Sequence, residues 1–184
     1  LWQNYLTYET ITNENPFSLT CEKVGASDGS VNFYAKQDFE AFMELFHYDF
    51  SWIEDYLDTD VFSRLTTYKS IEKPELMYNK NVSEKVRNLS EKLAGAKSCD
   101  EFFDLVTGFY KDYGVGMFGL NKAFRLKCYA EDKVEFKPIN NMDKVVLSDL
   151  IGYEIQKKKL VDNTKAFVEG KKANNVLLFG DSGT

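Results

Sequence analysis

Apolar residues in the first two thirds of the chain recur mostly at helical spacing. Trp2, Tyr5 and Leu6 predict an amphipathic helix that stops at or before Asn15-Pro16, because the residue preceding a proline avoids the α region. Gly25 to Ser30 reads as a loop. Phe39, Phe42, Met43 and Phe46 follow an i, i+3, i+4, i+7 stripe, which predicts a helix over about 37–48 with one face in a core. Ser51 and Glu54 stand at capping-box spacing ahead of Ile53 and Leu57. Asn81 and Glu84 repeat that spacing at the head of a stripe formed by Val82, Val86, Leu89 and Leu93, which Gly95 closes. Ser98 and Glu101 open another helix, carrying Phe102, Leu105, Val106, Phe109 and Tyr113. These two helices are expected to pair as a hairpin.

The period then changes. Glycines at 114, 116 and 119 interrupt the helical pattern, and Phe124, Leu126 and Cys128 alternate with Arg125, Lys127 and Tyr129. Val134 and Phe136 alternate likewise, so a β-hairpin turning at Glu131-Asp132 is predicted, ending near Pro138. The polar stretch 139–144 marks a domain boundary, giving a mainly helical domain over 1–144 and the start of a second over 145–184. Within the second, Ser148 is read as a cap. Tyr153, Leu160, Val161, Thr164 and Val168 are read as one face of a helix that Gly170 terminates. Asn175 to Phe179 is an apolar run of the kind found in buried parallel strands. The fold class expected is therefore α+β: a mainly helical N-terminal domain with a small hairpin or sheet, then the first helix and strand of an α/β module.

Charge narrows the possible partners. The net charge is −6, and it is uneven: Leu1 to Leu147 holds 17 basic and 24 acidic residues, whereas Ser148 to Thr184 holds 6 and 5. An acidic chain without clustered Lys and Arg argues against nucleic acid and anionic membranes. No run approaches the roughly 18 apolar residues a membrane span needs, and no export signal is read at the start. Cys21, Cys99 and Cys128 are odd in number and widely spaced, which argues against a disulfide framework or zinc site and points to a reducing cytoplasm.

The chemistry sits at the end. The run 175–179 leads into Gly180-Asp181-Ser182-Gly183-Thr184, a strand entering a glycine-containing loop. Such loops wrap phosphates with backbone N–H groups and feed a helix N-terminus, whose dipole favours anions. The full pattern is G-x-x-x-x-G-K-[ST], of which this chain carries the first five positions. The run LSDLIGYEIQKKKLVDNTKAFVEGKKANNVLLFGDSGT, with a fainter echo in VGMFGLNKAFRL, resembles the bacterial family called domain of unknown function 815, predicted AAA+ ATPases with an extra N-terminal region. The resemblance implies that Ile151 and Gly152 lie near the adenine, and that Gly180, Asp181, Ser182, Gly183 and Thr184 begin the phosphate loop. It further implies ATP and Mg2+ as cofactors of the parent protein. Neither ATP nor Mg2+ is expected on this chain, which lacks the lysine and the magnesium-binding hydroxyl of the motif and is expected to be inactive.

Rival readings are weaker. Gly-Asp-Ser-Gly also surrounds the nucleophile of trypsin-like serine proteases, but that chemistry needs a histidine base oriented by an acid, and His47 sits in an aromatic helix end. The acidic stretch Glu44, Asp49, Glu54, Asp55, Asp58 and Asp60 lacks the spacing and glycine of a calcium loop and reads as a solvated face. Lys157, Lys158 and Lys159 fan around a helix into solvent. The expected function is that of an N-terminal piece of an AAA+ ATPase acting on an unknown protein client or regulator. The alternative is a non-enzymatic protein-interaction or regulatory module. Residues 175–179, apolar and without neighbouring strands, are expected to fray from about Lys171 or to pair with an edge, such as the hairpin near Phe124 to Phe136 or another copy of the chain.

Overall fold

The computed structural model describes residues 1–26, 28–68, 80–129, 133–139 and 145–180. The chain divides into two compact units, Leu1–Met142 and Asp143–Thr184. It is mainly helical, with one two-stranded antiparallel sheet among the described residues.

In the first unit α1 (Trp2–Thr12) and α2 (Pro16–Val24) are joined at a point where one sequence signal does two jobs. Asn15-Pro16 ends α1 and also starts α2, a helix the apolar pattern alone does not predict. The Asn15 side chain accepts from the Ser18 N–H at 3.0 Å, and the Ser18 hydroxyl accepts from the Asn15 N–H at 3.0 Å. Pro16, at the first helical position, lacks only an N–H that would have no helical partner. α3 (Ser30–Phe46) begins seven residues before the predicted helix start. Its first two turns carry exposed Phe33 and Tyr34, so burial there follows no clean period.

α4 (Ser51–Leu57) and α5 (Val61–Thr67) are short. The predicted Ser51–Glu54 box does not form. Instead Asp49 accepts from the Ser51 N–H and hydroxyl, each at 2.9 Å, and Glu54 accepts from the Ser63 N–H at 2.7 Å and from its hydroxyl. These bonds hold both carboxyls below their ordinary range. A carboxylate two residues upstream takes the Ser51 donors, leaving Glu54 free to latch α4 to α5.

α6 (Lys80–Gly95) and α7 (Cys99–Tyr113) carry the predicted stripes. Val86, Leu89 and Leu93 are buried, as are Phe102, Val106 and Phe109, while Tyr113 is exposed. Lys80 already belongs to α6, one residue before the expected start at Asn81. Ser98 caps α7, accepting from the Glu101 N–H at 3.2 Å. α7 is the hub, packed against α1, α2, α3, α6 and α8. Around Phe102, which has no exposed surface, Phe39 and Phe46 sit with ring centres 5.6 and 5.5 Å away.

The glycine stretch folds instead of unravelling: α8 (Gly116–Leu120) follows a tight turn at Gly114. Glu22 accepts from the Val115 N–H at 2.9 Å, and the Lys85 ammonium donates to the Gly119 carbonyl at 3.1 Å, so the turn is latched to α2 and α6. β1 (Phe124–Cys128) and β2 (Val134–Pro138) form the predicted antiparallel hairpin, with Leu126 opposite Phe136 and Lys127 opposite Glu135. The predicted turn at Glu131-Asp132 lies outside the described residues. Leu126, Val134 and Phe136 are exposed, and Phe118 of α8 packs its ring on Phe124 and Phe136.

A buried phenol ties the ends of this unit together. The Tyr110 hydroxyl donates to the Thr10 carbonyl at 2.8 Å, satisfying one of the last carbonyls of α1. Burial first, then the Cys21 thiol, push the Tyr110 hydroxyl above its ordinary value. The native state therefore keeps a proton that the unfolded chain loses near pH 10, and the stability this group contributes declines as pH rises from there. The expected slope is about 1.4 kcal/mol per pH unit from this residue. Chemical denaturation at stepped alkaline pH checks it: Tyr110→Phe removes that slope and costs about 1 kcal/mol at neutral pH. Equal slopes for the two proteins would refute the assignment.

The described residues of the second unit hold a 3-10 turn, Leu147–Asp149, and α9 (Glu154–Val168). Ser148 lies in that turn and does not cap α9; Tyr153, in the left-handed region at φ 58°, takes that place. The covered positions of α9 also differ from those expected. Lys157, Leu160, Val161, Asn163 and Ala166 are half-buried, whereas Tyr153, Thr164 and Val168 are exposed. The run 175–179 forms no strand, and none of its residues pairs in a ladder.

Candidate functional site

The candidate nucleotide-entry segment is assembled from α9 and the chain on either side of it. Before the helix, Asp149 accepts from the Val146 N–H at 3.0 Å and closes the 3-10 turn. The Lys157 ammonium then donates to the Leu150 carbonyl at 2.9 Å and pairs with Glu154 at 2.7 Å. Its side chain is only 18% exposed. Lys157 is thus a staple across the helix entry, unlike its neighbours Lys158 and Lys159, which are exposed. Next to the stapled carbonyl, Ile151 is 96% exposed and Gly152 has φ +85°, a conformation glycine takes without a side-chain penalty. Two consecutive positive-φ residues, Gly152 and Tyr153, turn the chain sharply into α9 and leave Ile151 projecting as a bare apolar side chain.

After the helix the exit is equally defined. The Gly170 N–H donates to the Phe167 carbonyl at 3.0 Å and the Lys171 N–H to the Ala166 carbonyl at 2.8 Å, with Gly170 at φ +68°. This is a Schellman stop, so Gly170 does what its position in the sequence predicts. Three residues later comes a device the sequence did not announce. Asn163 in α9 donates from its side-chain amide to the Asn174 carbonyl at 2.8 Å and accepts from the Asn174 N–H at 3.0 Å. A side-chain amide here pairs with a backbone amide as a neighbouring strand would. The chain is thus bonded back to α9 as far as Asn174, three residues past Lys171. Beyond it Val176, Leu177, Leu178 and Phe179 are all exposed, Phe179 at 92%, and Gly180 ends the described segment in the open.

Of the residues implied in nucleotide contact, Ile151, Gly152 and Gly180 are thus accessible, and no hydrogen bond joins the first two to the third. Asp181, Ser182, Gly183 and Thr184 lie outside the described residues. A projecting apolar side chain on a stapled loop suits a flat apolar ring. Gly180 supplies backbone N–H without side-chain obstruction, as phosphate cradling requires.

The described residues of the first unit hold no comparable cluster of reactive groups. Burial pushes the Cys21 and Cys99 thiols up, so neither is an activated nucleophile. Desolvation and Lys122 push the Lys85 amine down, but that amine is committed to Gly119 and to the Tyr113 ring, 4.5 Å from its centre. His47 closes α3 with its backbone and is exposed, with no described acid orienting its imidazole. Among the described residues no group of three or more His, Cys, Asp or Glu side chains is placed to hold a metal ion. No described helix is long and apolar enough to cross a membrane.

A mainly helical first unit and an open helix-plus-apolar-run second unit thus define the class of architecture. Residues 120–184 match the model of a family described as Protein of unknown function (DUF815). That part of the chain, about a third of it, is similar to the domain of unknown function 815 family. The match begins at the last residue of α8 and takes in the β-hairpin, so it crosses from the first compact unit into the second. No curated protein and no solved structure gives a match.

Proposed function

We propose that residues 145–180 are the leading helix and first strand of the nucleotide-binding module of a cytoplasmic, bacterial AAA+ ATPase, and that the helical first unit is an appended domain that recognises a protein client or regulator. The observation that carries this reading is the order of devices along the second unit. A stapled loop presents Ile151, a Schellman stop follows α9, the Asn163–Asn174 pair sets the exit, and an apolar run enters Gly180. Successive residues of a strand face opposite sides of a sheet. All four apolar residues from Val176 to Phe179 are uncovered, which is the composition of a strand covered on both faces in a parallel sheet. Lys157 steadies the loop beside the adenine, and the Gly180 N–H faces the phosphates.

Calorimetric titration with Mg-ATP tests the reading. The 184-residue chain carries neither the lysine nor the magnesium-binding hydroxyl of the motif, so affinity weaker than about micromolar and no turnover are expected, since these groups and a preorganised loop supply phosphoryl-transfer catalysis. A longer product of the same gene, reading Gly-Lys-Ser or Gly-Lys-Thr after Thr184, is expected to bind and hydrolyse ATP. Submicromolar binding by the 184-residue chain, or a continuation without Gly-Lys, would sink the proposal. The alternative of a purely non-enzymatic interaction module draws on the closed core of the first unit, which contains every buried apolar residue of the described chain. An inactive longer product would favour it.

A further inference from the structure

We propose that the groove between α1, α2 and α3 binds the arginine side chain of a polypeptide partner. The groove has a volume of about 350 Å3 and lies wholly within the first unit, so the inference does not depend on the nucleotide reading. Its walls are rings: Phe17 from α2, and Tyr34, Phe39 and Phe42 from α3. Tyr110, buried and with its hydroxyl used on the Thr10 carbonyl, closes the lining from beneath. Two carboxylates complete the lining, Glu9 on α1 and Asp38 on α3. Neither takes part in an ion pair or hydrogen bond with a described side chain, and no described Lys or Arg lines the groove. The nearest basic residue in α3, Lys36, is bound to Asp100 and lies 5.1 Å from the Phe103 ring centre.

Ring faces and carboxylates attract the same kind of guest. The face of an aromatic ring is electronegative, and a cation over it is stabilised more strongly as water is displaced. Phosphates and carboxylates are repelled by the same arrangement. Among cations, a guanidinium fits best: it is planar, weakly hydrated, stacks on rings and can be shared between two carboxylates on different helices. The guest is a peptide side chain instead of a free amine because the groove is open and apolar surface continues beyond it. Val31 and Tyr34 line it while remaining exposed, Tyr34 at 65%, and Phe33 is exposed next to them. Asn13, also in the lining, has a side-chain amide without a partner among the described residues and can pair with a peptide backbone.

The test is an NMR titration of the 184-residue chain with the blocked peptide acetyl-Ala-Leu-Arg-Leu-Ala-amide and its citrulline counterpart, which keeps the shape and removes the charge. The arginine peptide is expected to saturate and to shift amides in 9–17 and 31–42, with citrulline binding about tenfold weaker. E9Q/D38N, altering two exposed side chains, is expected to weaken the arginine peptide about fivefold and leave the citrulline peptide unchanged. Equal binding of the two peptides, shifts confined to other elements, or no saturation would each overturn the proposal. Should the double variant fail to fold, the arginine–citrulline difference on the natural chain decides the matter alone.

Discussion

Replacing Phe102 by alanine is expected to cost about 3–5 kcal/mol, the range for removing a fully buried large side chain from a core that cannot collapse onto the gap. Phe102 has no exposed surface and sits between Phe39 and Phe46 of α3, so its loss leaves two rings of another helix without their contact. Domain stabilities of about 5–15 kcal/mol make this a large fraction of the total. With a urea dependence of about 2 kcal/mol per molar, the unfolding midpoint falls by roughly 1.5–2.5 M. Urea titration followed by tryptophan fluorescence checks it, since Trp2 packs against Phe50 in the same unit. Phe102→Leu, which keeps most of the volume, is expected to cost clearly less. A loss below about 1 kcal/mol for the alanine variant would show that α7 is not the centre of the core.

The second large effect is expected at Gly119, and it inverts what backbone angles alone suggest. Gly116 has φ +69°, so alanine there costs about 1–2 kcal/mol in backbone conformation. Its new methyl group would collide with the Glu14 side chain, but that residue is exposed and can swing into solvent. Gly119 has no positive φ. A methyl group there would overlap the carbonyl of Gly114, and a backbone already latched by Glu22 and Lys85 cannot step aside. Gly119→Ala is therefore expected to cost about 3 kcal/mol, at the upper end for overpacking, and Gly116→Ala clearly less. Thermal unfolding of the two single variants decides the order. Equal losses would mean that the α7–α8 turn yields more readily than its latches imply.

What could be read from the sequence depended on whether the determining contacts were local. The stripe Val82, Val86, Leu89, Leu93 and the Ser98 cap were legible because helical period and capping act within one or two turns. The hairpin was legible because alternation and its flanking turn signals lie within fifteen residues. α2 was missed since Asn15-Pro16 reads equally as a stop and as a start, and only the Ser18 hydroxyl completes the second meaning. The Ser51–Glu54 pair misled because Asp49 and Ser63 compete for the same groups, and no pairwise spacing rule weighs competitors. For the second unit the Gly170 stop was legible. The apolar run looks like a strand, but a strand exists only against a neighbour, and no described segment supplies one. In the candidate site, Ile151, Gly152 and Gly180 could be named through their motif. Lys157 and the Asn163–Asn174 pair could not, because they are ordinary polar residues whose roles come from where α9 places them. The aromatic groove was likewise invisible, being lined from four helices and the turn between two of them.

The bond from Tyr110 to the Thr10 carbonyl joins residues 100 positions apart, and this long span bears on the order of events at the ribosome. α1 leans first on α3, where the Trp2 indole donates to the Leu45 carbonyl. Its buried side chains, Leu6, Thr7, Thr10 and Ile11, gain their remaining cover only when α6 and α7 have been made. At about 5–20 residues per second, α1 then waits roughly 5–20 seconds with part of its apolar face bare. The nascent chain passes through an intermediate in which α1, α2 and α3 are present without the hub helix, an exposure that chaperones and proteases can sample before Phe102 arrives to close it.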